Sequence, residues 1–306
     1  MKVFYCENYN ISLGLLNYLH PFDGCKFKKV SGSLEGTPTV NIIKPSRPAS
    51  MEVILSYTSG LMKRALNGNK RVILRALEVP YIPLLPFSFI DKRILLPMRW
   101  GVAGTMEAAK NSLENGSIGW NLSGGYHHAS QQSAQGFCIY NDIGITYQEL
   151  LKDGSLSNND KILIIDIDAH HGNGNANWFY ENNKVTLLDI YNADIYPQTH
   201  SSRERVDVSV PLPHGTGGGF YLSHLESALK QLATDFTLAF VVAGTDVLGS
   251  DPLGGLNLTI DECVQRDQMV YDFLKNAAIP SVFVGGGGYS KDSSKAIIKS
   301  IQNLSQ

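Results

Sequence analysis

Ile164-Ile-Asp-Ile-Asp-Ala-His-His-Gly-Asn-Gly174 is the stretch on which the reading of this chain turns. It begins as an apolar run and ends in two aspartates, two histidines and two glycines. Residues two apart on an extended chain share a face, so Asp166, Asp168 and His170 project the same way. A short, continuous apolar run suits a strand of a parallel sheet covered on both faces. Polar, chemically able groups directly after such a strand fall where open α/β sheets build their sites.

Outward from this stretch, further apolar runs lie at residues 3–5, 118–122, 185–190, 238–243 and 281–284. Between them come segments with helical spacing: 143–151, 219–232 and 259–277. Asn141 and Asp142 are cap residues for the first, and Thr259 with Glu262 forms a capping box for the third. Strands alternating with helices imply βαβ units, hence an α/β fold of three layers, αβα, around a mostly parallel central sheet. Residues 45–100 are less regular, carry several prolines and read as an excursion or lid. No repeat or linker divides the sequence, so residues 1–306 are expected to form a single catalytic domain.

Composition narrows the function. Among 306 residues, 26 basic and 28 acidic side chains give a net charge of −2, which lacks the basic footprint of a nucleic-acid binder. Cys6, Cys25, Cys138 and Cys263 are scattered, so neither a thiolate metal site nor a redox pair is expected, and the thiols should be reduced. Residues 1–11 include Glu7, Asn8, Tyr9 and Asn10 where a signal peptide needs its apolar run, and no apolar stretch is long enough to span a bilayer. A soluble, cytoplasmic protein is the expectation.

Carboxylate oxygen and imidazole nitrogen are a ligand set for Zn²⁺ or Fe²⁺. Asp-x-His alone also occurs as a strand-end cap, so a third ligand is required. Asp246, at the end of Val241-Val-Ala-Gly-Thr-Asp246, supplies a carboxylate at the same sheet edge. Two carboxylates neutralise a divalent cation and leave a position for water. Asp251 is a rival ligand, although Pro252 after it favours a turn. Gly124-Gly-Tyr-His-His128 follows another strand, and its histidines serve either as general base and acid beside the metal or simply in a surface loop. His171 faces away from His170 and is expected to bond locally. Gly285-Gly-Gly-Gly-Tyr289 offers a tyrosine hydroxyl to a developing oxyanion. In His214-Gly-Thr-Gly-Gly-Gly-Phe220, Phe220 takes the place of the last glycine of a dinucleotide fingerprint, which argues against that function.

Taken together, Gly124–His128, Gly136-Phe-Cys138, Asn141-Asp142, Asp166–Gly174, Gly244-Thr-Asp246 and Gly285–Tyr289 resemble the zinc-dependent histone deacetylases, which have an arginase-like α/β fold. The resemblance covers about residues 120–289. Leu19-His-Pro-Phe-Asp23, Asp189-Ile-Tyr-Asn192, Ile195-Tyr-Pro197, Val247-Leu248 and Leu253-Gly-Gly255 further resemble the class IV branch. The resemblance implies that Asp168, His170 and Asp246 bind zinc, with iron an alternative. It implies His128 as general base and acid, His127 as its electrostatic partner, and Tyr289 as the oxyanion donor. Asp166 would support His127 and help to hold a structural potassium ion. Asn173 stands where some members carry a second aspartate behind the histidines. Gly136 and Phe137 would line a narrow substrate channel. Ala193-Asp194 departs from class IV relatives, which often have a basic or histidine residue there.

The implied substrate is an N-acyl-lysine in a protein or peptide, with acetyl or a long-chain acyl group. Alternatives are a small acetylated amine such as a polyamine, which calls for an acidic rim, and a catalytically inactive lysine-binding module. An arginase-like amidinohydrolase would need ligands for two metals, and a single trio is present.

Overall fold

The computed structural model describes residues 1–12 and 22–306; Leu19, His20 and Pro21 of the class IV resemblance lie outside them. Eight strands form one sheet: β1 (Lys2–Phe4), β2 (Asn41–Ile43), β3 (Ile118–Asn121), β4 (Ile162–Asp166), β5 (Val185–Asn192), β6 (Val208–Leu212), β7 (Leu238–Val242) and β8 (Ser281–Val284). Their order is β2-β1-β3-β8-β7-β4-β5-β6, and every pairing is parallel.

Alternation along the strands divides the core. Leu163, Ile165, Leu188, Ile190, Ala239, Val241 and Phe283 face one side, with the apolar stripes of the helices Lys26–Leu34, Gly218–Leu229, Ile260–Asn276 and Ser293–Leu304. Ile162, Ile164, Leu187, Phe240, Val242, Val282 and Val284 face the other, against Leu96–Asn115 and Asp142–Lys152. Strands buried on both faces read as unbroken apolar runs, the pattern that revealed them. Each large aliphatic or aromatic side chain so buried stabilises the fold by about 1.5–3 kcal/mol.

Two strands escape sequence reading because they are edges. Asn41–Ile43 is only three residues long and half exposed. Val208–Leu212 carries Pro211, which an edge tolerates because one side of its ladder is unpaired. The expected helices are present. Asn141 accepts from Gly144 N at 2.6 Å, and Thr259 with Glu262 makes a complete capping box.

Residues 45–100 are more regular than their prolines suggest. They contain the helices Met51–Ser56, Gly60–Leu66, Lys70–Ala76 and Phe87–Ile90, continuing through a π-helical stretch, Asp91–Leu95, into the long helix Leu96–Asn115. Pro97 sits where the π-helical stretch passes into that last helix. The excursion has its own apolar cluster, including Ile54, Met62, Ile73, Ile90 and Leu95, which closes onto Ile139, Tyr140 and Ile145.

Candidate active site

β3, β8, β7 and β4 are successive neighbours at the centre of the sheet, and Asn121, Val284, Val242 and Asp166 are in register at their ends. The four clusters singled out in the sequence therefore emerge side by side. Asp168, His170 and Asp246 are buried, with ligand atoms all within 4.8 Å of one another. His170 Nδ1 lies 2.8 Å from Asp246 Oδ2 and 3.2 Å from Asp168 Oδ1.

Backbone amides aim both carboxylates. Gly287 N donates to Asp168 Oδ2 at 2.6 Å, and Ala169 N to Asp246 Oδ1 at 2.9 Å. Glycine is required at this contact: a Cβ on Gly244 would lie 2.0 Å from Asp168 Oδ2, and one on Gly287 2.0 Å from Asp246 Oδ2. Burial disfavours a proton on His170, but Asp246 and Asp168 outweigh it and raise its pKa well above the usual imidazole range. Two carboxylate oxygens and one imidazole nitrogen this close together fit a divalent cation such as Zn²⁺ or Fe²⁺.

The histidine pair sits in the site, not on the surface. His127 Nδ1 pairs with Asp166 Oδ2 at 2.8 Å, and His128 Nδ1 donates to Asn173 Oδ1 at 2.7 Å. The second bond directs the Nε2 lone pair of neutral His128 away from Asn173. Burial opposes charge on His127, yet Asp166 and Asp168 raise its pKa to about 9. Burial, with His127 and His170 nearby, holds His128 well below the ordinary range. One imidazole is thus kept charged and its neighbour kept neutral. His171 points away from His170, as expected, bonding Asp189 Oδ2 at 2.6 Å and Ser202 Oγ at 2.8 Å.

Tyr289 lies across the cavity from Phe137, with ring centroids 5.7 Å apart. Burial, then Asp246 and Asp168, push its pKa well above the ordinary value, so the phenol keeps its proton. Gly136 and Phe137 both have left-handed backbone, with φ of 53° and 63°. The Phe137 N–H donates to Ala76 O at 3.0 Å, tying this wall to the excursion. The cavity is mainly apolar and encloses about 100 Å³. It reaches from His127, His128 and Tyr289 to Phe22, Leu77, Val79, Ile94 and Met98.

Three supporting residues were given no such role by the sequence reading. Asp251 is no ligand: its Oδ2 accepts from Tyr289 N at 2.6 Å and Ser290 N at 3.1 Å, while Oδ1 accepts from Leu253 N and Gly254 N. Asp142, read only as a cap, accepts from Gly125 N, Tyr126 N and Thr105 Oγ1 and so fixes the turn before the histidines. Lys26 is buried, its pKa pulled by desolvation to about 8, and its Nζ donates to Gly286 O at 3.3 Å and Gly288 O at 3.4 Å. A lysine in an amphipathic helix ordinarily faces water, so no local signal marks Lys26. Asp194 is exposed and accepts from His214 N.

The histone deacetylase domain family model matches residues 65–304. Histone deacetylase 2 of Arabidopsis thaliana is 33% identical over 316 aligned positions, covering 100% of this chain and 79% of that protein. The acetoin utilization protein AcuC of Staphylococcus aureus is 37% identical over 188 positions, which cover 56% of this chain and 46% of that one. The crystal structure of the HDA15 HD domain superposes with a TM-score of 0.76 over 99% of this chain and 90% of that chain, at 20% identity, a likeness of fold.

Proposed function

The chain belongs to the histone deacetylase family, and from that premise and the geometry of its site we propose that it is a metal-dependent hydrolase of N-acyl-lysine amides. One observation carries the reading: a neutral histidine and a protonated tyrosine line one apolar cavity, and a trio of buried metal-type donors lies beside them, with the His128 and His170 rings 5.9 Å apart and Asp168 bonded to Gly287 of the cavity wall. Asp168, His170 and Asp246 would hold the metal, with zinc the leading choice and iron the alternative. When bound, the metal acidifies a water molecule and polarises the substrate carbonyl.

His128 takes a proton from the attacking water through the nitrogen that Asn173 leaves free, and returns it to the departing amine. Being neutral, it has that nitrogen free to accept the proton. His127, held charged by Asp166, stabilises negative charge nearby. Tyr289 donates its hydroxyl to the oxyanion as the carbonyl carbon becomes tetrahedral. Asp251 acts through the backbone of Tyr289, setting where that hydroxyl stands. Gly136 and Phe137 flank the path of the lysine side chain.

Asp166 and Asp189 are paired neighbours on β4 and β5, and among the described residues the buried Asp189 Oδ1 has no hydrogen-bond partner. An orphaned carboxylate oxygen beside a second carboxylate suits a bound cation, and potassium is the proposed occupant. The whole chain, 1–306, is read as one catalytic domain, since β1 to β8 share one sheet.

The acyl group is read as acetyl or longer. The wall formed by Leu77, Val79, Ile94 and Met98 offers an apolar surface to an acyl chain beyond acetyl. A polyamine finds less support, because Arg71 and Arg75 line a hollow that shares Val79 with the cavity. Acetyl-lysine and myristoyl-lysine peptides, assayed on purified protein with and without chelator, test the proposal. Chelator-sensitive release of the carboxylate, leaving the free lysine in the peptide, is expected. An inert protein that still binds acyl-lysine peptides would instead mark a binding module.

A further inference from the structure

We infer that residues 79–87, with the basic helices behind them, form a docking surface for an anionic lipid bilayer. The stretch Val79-Pro-Tyr-Ile-Pro-Leu-Leu-Pro-Phe87 contains no charged side chain, yet it lies on the surface. Leu84 is 93% exposed and Tyr81 44%. An apolar tip standing in water marks an interaction site.

The loop's backbone is prepared for an apolar surrounding. Pro80, Pro83 and Pro86 have no N–H to satisfy. The Lys70 ammonium donates to the carbonyls of Ile82, Pro83 and Leu85, which removes three acceptors from the loop's own list of needs. Backbone polar groups that approach lipid need partners within the protein, and Lys70 supplies a partner to three of the loop's carbonyls. A lysine used in this way presents the leucine outward and keeps the carbonyls inward.

Charge completes the surface. Residues 60–99 carry Lys63, Arg64, Lys70, Arg71, Arg75, Lys92, Arg93 and Arg99 against Glu78 and Asp91, although the chain as a whole is acidic by two charges. Lys63, Arg64, Arg71, Arg75, Lys92 and Arg93 are exposed. Arg71 is stacked on the Tyr81 ring at 4.5 Å, which links cation to tip. Basic groups flanking an apolar tip match an anionic headgroup layer over acyl chains. An acidic peptide would use the cations but leave Leu84 and the satisfied carbonyls unexplained. Val79 lines the cavity as well as starting the loop, so docking would bring the cavity wall to the membrane. This inference stands apart from the hydrolase reading, because a chain without activity would still bind vesicles.

The test is flotation of the full chain with vesicles of phosphatidylcholine alone or with phosphatidylserine added. Binding to the anionic vesicles is expected, weakened by salt. Leu84→Asp, and separately Arg71→Glu with Arg75→Glu, should each lower partitioning about tenfold or more. Hydrolysis of a soluble, unflanked acyl-lysine substrate should be unchanged in both, which also reports intact folding. Failure of the parent chain to float would overturn the inference, as would binding unaffected by either variant. So would capture of acidic peptides, lost in the double arginine variant, without vesicle binding.

Discussion

Two regions meet at the cavity and are held by different forces. The strand-end loops carrying Asp168, His170, Asp246, the histidine pair and Tyr289 are fixed by hydrogen bonds: Gly287 N to Asp168, Ala169 N to Asp246, His128 Nδ1 to Asn173, Tyr289 N to Asp251. The excursion opposite, which supplies Leu77, Val79, Ile94 and Met98, is held chiefly by apolar contacts around Ile73 and Ile90. A hydrogen bond tolerates a few tenths of an ångström, whereas apolar packing tolerates substitution if volume is kept. On the proposed function, the difference would give the chemistry to the sheet and selectivity among acyl groups to the excursion.

The sharpest way to break that division is Asp246→Asn, which is expected to abolish turnover and lower the metal content of the purified protein. Full metal occupancy by elemental analysis would remove Asp246 from the ligand set. Next comes Tyr289→Phe, expected to cut kcat by about 10²–10³ while circular dichroism stays unchanged. Near-normal turnover would end its role as oxyanion donor. Ile73→Ala probes the other region. It should cost about 2–5 kcal/mol locally and speed amide hydrogen exchange in residues 51–98 before the sheet is affected. Uniform loss of protection would show that the regions unfold together. The smallest effect is expected from Met98→Trp, which fills the cavity. Turnover of a myristoyl peptide should fall about tenfold relative to acetyl, the scale of steric discrimination in apolar pockets. Equal loss for both acyl groups would place Met98 in the chemistry instead.

The same contrast explains what the sequence disclosed. Central strands such as Ile162–Asp166 are apolar up to their last residue and lead directly into the candidate residues, so both the sheet and the candidate site were legible. Asp168, His170, Asp246, the histidine pair and Tyr289 are brought together because their strands are neighbours, a relation that the motifs imply once a parallel sheet is assumed. Asp251 was visible but ambiguous, since a turn aspartate looks alike whether or not it binds a distant tyrosine amide. Lys26 reaches the Gly286 and Gly288 carbonyls across more than 250 residues of chain, and no local pattern records such a contact. The excursion was read as irregular because its helices are short and separated by prolines, and their stability comes from a shared core rather than from periodicity.

The hydrogen bond from Gly287 N to Asp168 has a further consequence. It joins the loop that ends in Tyr289 to a carboxylate of the proposed metal trio, so the two are thermodynamically linked. Linkage is reciprocal: whatever favours the loop's present position must favour cation binding by the same factor, and the reverse. A ligand that grips only the Tyr289 hydroxyl, without touching the metal, should therefore slow metal loss to a chelator.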